Sequence, residues 1–268
     1  MQVLIFDNKQ KVAFFAAQLF KELLQLKPAA TLGLATGSTP IELYKELVKL
    51  YEKQEISFSK AASFNLDEYY DIDEGNRNSY RYFMNSMLFE KIDINLKNTY
   101  LPTCNQYQNP SQKGKHYEAL IQESGGIDLQ LLGIGANGHI GFNEPTSSLA
   151  SRTRIKSLTP QTIQDNSRLF EKGESQPQLA MTMGIATILD AKYIVLLATG
   201  EAKARAVSDM VNGPLSANCP ASALQMHPNT IVLLDEAAAS QLDNKEYLQW
   251  VANQNESIVK KHGYFKDL

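Results

Sequence analysis

Strand-length apolar runs alternate along this chain with segments of helical length and spacing, a pattern that leaves few folds open. Val3 to Phe6, Thr31 to Ala35, Ala61 to Leu66, Ile127 to Gly133, Tyr193 to Ala198 and Thr230 to Leu234 read as strands. Val12 to Leu26, Pro40 to about Glu52, Tyr80 to Phe89, Gln112 to Glu123, Glu201 to Val211 and Lys245 to about Lys261 read as helices. Parallel strands cannot be joined by a tight turn and need a crossover, which is usually a helix. The expected class is therefore α/β, with an open, mostly parallel, Rossmann-like sheet carrying helices on both faces. No repeat, linker or composition break interrupts the 268 residues, so residues 1–268 read as one domain, with Ser151 to Leu179 as a less regular insertion.

Charge and cysteine usage exclude several function classes. Net charge is -3 at pH 7 and the 26 Lys and Arg are dispersed, so neither a nucleic-acid nor a membrane-surface partner is expected. Cys104 and Cys219 lie far apart without CxxC spacing, which argues for reduced, buried thiols and against a disulfide framework or a metal site. Met1 to Lys11 lacks a basic segment followed by a long apolar one. The longest apolar runs, such as Tyr193 to Ala198, are too short to span a bilayer, so the expected location is cytoplasmic.

Three strand ends carry polar chemistry. After the fourth strand comes Gly133-Ile134-Gly135-Ala136-Asn137-Gly138-His139-Ile140-Gly141-Phe142-Asn143-Glu144-Pro145. Its four glycines let backbone approach a ligand closely, His139 brings an imidazole, the side-chain type suited to acid/base work near neutral pH, and Glu144 brings a carboxylate. After the second strand comes Thr36-Gly37-Ser38-Thr39-Pro40-Ile41-Glu42, where Thr39 is the expected N-cap, Pro40 the first helical residue and Glu42 the capping-box acid. A helix starting directly after a strand offers free N–H groups, and with the hydroxyls of Thr36, Ser38 and Thr39 these suit a phosphate. The loop is neither a P-loop nor a dinucleotide fingerprint, which argues against ATP or NAD. After the third strand comes Phe64-Asn65-Leu66-Asp67-Glu68-Tyr69-Tyr70, whose adjacent carboxylates point to opposite sides of an extended chain, so one of them faces the other two loops. In an open parallel sheet such ends converge on one edge.

Asn65 to Tyr69, Thr36 to Pro40, Gly135 to Pro145 and Ser151-Arg152-Thr153-Arg154-Ile155-Lys156 together resemble the glucosamine-6-phosphate deaminase family, also called glucosamine-6-phosphate isomerases. The likeness covers nearly the whole chain in family order. The related 6-phosphogluconolactonases share a glycine-rich histidine loop, but the Asn143-Glu144-Pro145 ending and the Asn65 to Tyr69 acid loop resemble the deaminases.

The resemblance implies an enzyme of amino sugar catabolism that isomerises and deaminates glucosamine 6-phosphate to fructose 6-phosphate and ammonium, with no metal or organic cofactor. By analogy His139 opens the sugar ring, Glu144 and Asn137 orient the imidazole, and Asp67 moves the C2 proton to C1, with Glu68 and Tyr69 supporting the loop. Some family members carry aspartate at position 137, so Asn137 here is read as orienting the ring without adding charge. Gly37, Ser38, Thr39, Arg168 and Lys203 match the phosphate-binding positions, and residues from about 159 to 173 resemble a lid that would bring Arg168 in on closure. Ser147, Arg154 and Lys156 match an allosteric phosphate site found at subunit interfaces of hexameric members, although the tyrosine of that site falls at Gln249 with Tyr247 nearby. Gly213 to Ser222 looks more like the shorter, unregulated members. A homo-oligomer is expected, a hexamer among the possibilities. A galactosamine-6-phosphate deaminase/isomerase and a 6-phosphogluconolactonase stand as the alternative activities.

Overall fold

A computed structural model describes residues 1–167, 170 and 176–265. The elements in chain order are β1 (Gln2–Phe6), α1 (Lys9–Leu26), β2 (Thr31–Leu34), α2 (Pro40–Glu52), β3 (Ala62–Asn65), β4 (Asp67–Tyr69), α3 (Tyr80–Met87), β5 (Thr99–Tyr100) and α4 (Pro110–Glu123). They continue with β6 (Leu129–Leu132), β7 (Arg154–Ser157), α5 (Pro160–Ser167), β8 (Leu179–Thr182), α6 (Ile185–Leu189), β9 (Tyr193–Ala198), α7 (Ala204–Val211), β10 (Thr230–Asp235) and α8 (Lys245–His262).

Seven strands form one sheet in the order β1-β10-β9-β6-β2-β3-β5, every neighbouring pair parallel. All six residues of β9 and of β10 are buried, which requires cover on both faces of the sheet. The chain leaves β2 toward β3 and β5, then returns to lay β6 on the other side of β2. Loops leaving adjacent β2 and β6 therefore diverge in direction and open a crevice at their carboxyl ends.

Side-chain caps fix where the helices begin. Asn8, Ser79 and Asn109 accept the backbone N–H of Lys11, Tyr82 and Gln112 at the starts of α1, α3 and α4. At the opposite edge from the crevice, the buried Asp128 carboxylate takes Lys27 and Lys192 at 2.8 Å each and the Thr31 N–H at 2.9 Å. That cluster ties the entry to β6 to the first residue of β2, and the three donors together hold the acid below its usual range against the opposing effect of burial.

Two expectations need correction. Thr39 already has helical dihedrals, φ -65° and ψ -47°, and makes no capping bond; Glu42 pairs with Lys45 instead. The span from Ser151 to Leu179 is more regular than expected, because it contains β7 and α5 and ends at β8. A second, three-stranded antiparallel sheet, β4-β8-β7, pairs Asp67 with Thr182 and Arg154 with Thr182 from its two sides. A small apolar cluster of Tyr69, Phe142, Leu158 and Ala180 packs with it, separate from the main core.

His227, buried before β10, donates from Nε2 to the Ala191 carbonyl at 2.7 Å and accepts at Nδ1 from Asn229 N–H and the Thr230 hydroxyl, both at 3.2 Å. Only the neutral ring can do both. Burial, partly offset by the Ala191 carbonyl, holds this imidazole below its ordinary value. A folded-state value depressed below the unfolded one, about 6.5, means stability present at higher pH and lost as pH falls through that unfolded value. In thermal melts from pH 7 to pH 5, wild type is expected to lose more Tm than His227→Gln.

Candidate active site

The crevice is a cavity of about 510 Å³ at the carboxyl ends of β2, β3 and β6. The Ala35 to Pro40 loop, Leu66 and Asp67, and parts of the Gly133 to Phe142 loop line it, with Tyr80, Thr162, Gln164 and Lys203 arriving from elsewhere. The convergence expected of the three loops is present in the fold.

On the β6 loop, His139, Asn137 and Glu144 form a connected unit. His139 Nδ1 lies 2.6 Å from Asn137 Oδ1, and Asn137 Nδ2 donates to Glu144 Oε2 at 2.8 Å. Glu144 accepts only, so the amide must turn its NH2 toward it and its oxygen toward the imidazole. That orientation demands a proton on Nδ1 and leaves Nε2 as the nitrogen able to exchange a proton with a bound molecule. Glu144 Oε2 is also 3.4 Å from His139 Nδ1, and its carboxylate is 2 % exposed as a residue. Burial alone would raise it, but His139, Thr162 and Asn137 more than compensate and hold it at about 2. Thr162 donates to Glu144 Oε1, and Thr159 lies 3.3 Å from the same oxygen.

The imidazole rests directly on backbone. A Cβ at Gly135 would stand 2.2 Å from the His139 ring, so no side chain fits there. Gly37 has φ +103°, a conformation other residues avoid, which lets the Thr36 to Pro40 loop turn along the cavity wall.

Asp67 has the opposite environment to Glu144. It is 6 % exposed and lines the cavity. Burial first, and the neighbouring Glu68 charge second, push it up to about 8, with a smaller opposing effect from the Phe142 N–H. Glu68 turns the other way and accepts the N–H groups of Tyr69, Tyr80 and Arg81 at 2.9 Å each, anchoring the start of α3. Alternation along β4 thus separates the two acids, as their spacing implied.

Gly37, Ser38, Thr39 and Lys203 line the same cavity. Thr39 lines it without making a capping bond to its own helix. Arg168 lies outside the described residues, as does part of the expected lid. Of the remaining set, Ser147 is buried, its hydroxyl without a hydrogen-bond partner, and Arg154 donates to Asn143 Oδ1 at 2.9 Å from β7, where Lys156 is half-buried. These three flank the site and do not line its cavity. Among the described residues no group of three or more His, Cys, Asp or Glu is placed to hold a metal ion. Sequence reasoning missed Tyr80, Thr162 and Gln164. Thr159-Pro160, a cap residue followed by proline, was the signal that could have located α5.

Residues 7–233 match the family described as glucosamine-6-phosphate isomerases/6-phosphogluconolactonase. The chain belongs to that family. Among its relatives, the glucosamine-6-phosphate deaminase of Pseudoalteromonas translucida (strain TAC 125) is 64% identical over 268 residues, covering 100% of both chains. That of Colwellia psychrerythraea (strain 34H / ATCC BAA-681) is 63% identical over 265 residues, 99% of each. A solved monomeric glucosamine-6-phosphate deaminase superposes with a TM-score of 0.87 at 41% identity, over 90% of this chain and 100% of that one.

In this chain, then, one strand-end loop presents an imidazole against glycine. Gly135→Ala is expected to displace the ring and lower turnover by at least about 10²-fold, the scale of an ångström-sized misplacement. Its Tm should stay close to wild type. Full activity in that variant would show that His139 need not lie where it does.

Proposed function

We propose that this chain converts glucosamine 6-phosphate and water to fructose 6-phosphate and ammonium. The observation that carries the reading is a desolvated carboxylate, Asp67, sharing one cavity with an imidazole of fixed tautomer and with a hydroxyl-rich helix entry. The relatives' names support the same substrate class.

The phosphate sits against the N–H groups and hydroxyls of Gly37, Ser38 and Thr39, with Lys203 as a point charge and Arg168 as a bidentate partner. His139 Nε2 takes the anomeric hydroxyl proton and returns it to the ring oxygen, giving the open aldehyde, while Glu144 steadies the cation formed in between and Asn137 holds the ring. Asp67 then removes the C2 proton and delivers it to C1, while a proton leaving the substrate ammonium is taken up by O1, so that the aldehyde oxygen becomes a hydroxyl. The C2–N bond becomes an iminium, water adds at C2, and ammonia leaves as the ketone forms. Lactone hydrolysis has no use for a C2 proton acceptor, so Asp67 favours the deaminase over the lactonase. The stretch from 159 to 173 acts as lid, and Ser147, Arg154 and Lys156 form a separate anion site. The location is cytoplasmic, because phosphorylated sugars do not cross membranes unaided.

The deciding experiment is a coupled assay for fructose 6-phosphate and ammonium, run on glucosamine 6-phosphate, galactosamine 6-phosphate and 6-phosphogluconolactone. Asp67 acts as a base only when ionised, so kcat/KM should fall as pH drops below about 8. Asp67→Asn should still bind sugar phosphate yet lose C2 proton exchange with deuterated solvent; retained exchange would remove Asp67 from its role. A homo-oligomer, hexamers included, belongs to the same reading. Sedimentation checks it, and a monomer, as the solved relative is described, would overturn it.

A further inference from the structure

We propose that Thr162, backed by Thr159, is a positioning residue that fixes the Glu144 carboxylate and through it the His139 imidazole. The inference rests on the deaminase reading for the step it serves. Its own basis is the direction of the hydrogen bonds between α5 and the β6 loop.

Each threonine hydroxyl has one proton to give. Thr162 gives its proton to Glu144 Oε1, which can only accept. Thr159 Oγ1 accepts the Thr162 N–H at 3.2 Å and so caps the first turn of α5; its own proton is directed to Thr162 Oγ1 at 3.0 Å or to Glu144 Oε1 at 3.3 Å. Glu144 therefore has its two oxygens claimed from opposite sides. Oε1 faces α5, and Oε2 faces Asn137 Nδ2 at 2.8 Å and His139 Nδ1 at 3.4 Å. Holding Oε1 fixes the plane of the carboxylate. That plane aims Oε2 at the Asn137 amide, the amide presents its oxygen to Nδ1, and Nε2 is left with the acid/base work.

Water is a poor substitute for the threonine. Thr162 and Glu144 are both buried, and a buried carboxylate deprived of a donor either rotates to find another or takes up a proton. Both responses undo the orientation of Asn137. Thr162 is also the member of the unit that comes from another element, so the position of α5 is transmitted to the imidazole through one carboxylate.

The test is steady-state kinetics on glucosamine 6-phosphate with Thr162→Val, which keeps the shape and removes the donor, and Thr162→Ser, which restores it. Thr162→Val is expected to lower kcat by about tenfold with KM near wild type, the scale of one charge-assisted hydrogen bond. Thr162→Ser should recover most of the loss. Placed in a Glu144→Gln background, the same valine substitution should cost less than about twofold, because the group it acts through is already altered. Thermal unfolding of each variant accompanies the kinetics, and Thr159→Val should act in the same direction with a smaller loss if Thr162→Val proves unstable. An unchanged kcat in Thr162→Val, a loss just as large in the Glu144→Gln background, or failure of serine to rescue would each overturn the inference. If wild type releases no ammonium the deaminase reading falls with it, whereas active wild type beside an indifferent Thr162→Val removes the positioning role alone.

Discussion

The reversal of strand order between β2 and β6 is the constraint on which the site depends. Neighbouring parallel strands whose connections leave in opposite directions cannot have their carboxyl ends covered by the same crossover. The gap that results is bordered by the Thr36 to Pro40 turn on one side and the His139 loop on the other. β3, on the far side of β2, ends at Asn65, and two residues later its chain enters the small sheet as β4. Position in the sheet thus decides which three loops meet before any side chain is chosen.

Two carboxylates, Asp67 lining that gap and Glu144 behind its imidazole, receive opposite treatment. Glu144 is buried but supplied with donors from three residues, so it stays ionised at any ordinary pH. Asp67 is buried beside another acid with little to compensate, so it holds its proton more tightly. Environments that drive two acids apart in this way are a usual sign of separate chemical roles. The small β4-β8-β7 sheet produces the difference, since its pairing with β8 buries Asp67 while Glu68 is carried to the amide groups of α3.

Six of the seven strands of the central sheet and most of the longer helices were legible because their signals are local, apolar runs and helical spacing, whereas the two-residue β5 is too short to leave one. The strand ends that carry Asp67, His139 and Glu144 were legible for the same reason. The small sheet was not. β4 has three residues and its partner β8 lies more than a hundred residues on, so no local period marks the pair. Thr39 misled because the sequence of a cap does not reveal whether the residue has already turned helical. Thr162 and Tyr80 reach the cavity from α5 and α3, and their contribution depends on packing that spacing alone does not encode.

Asn137 has a consequence for charge balance. With a neutral amide between them, His139 and Glu144 sum to one negative charge when the ring is neutral and to zero once it holds a proton. A carboxylate at that position would leave the unit anionic in both states. A dianionic sugar phosphate entering this cavity therefore meets one repelling charge fewer than it would beside an aspartate. The amide makes the proton-carrying state electrically neutral as a unit, so a protonated ring there is balanced by the Glu144 carboxylate and needs no counter-ion drawn from solvent.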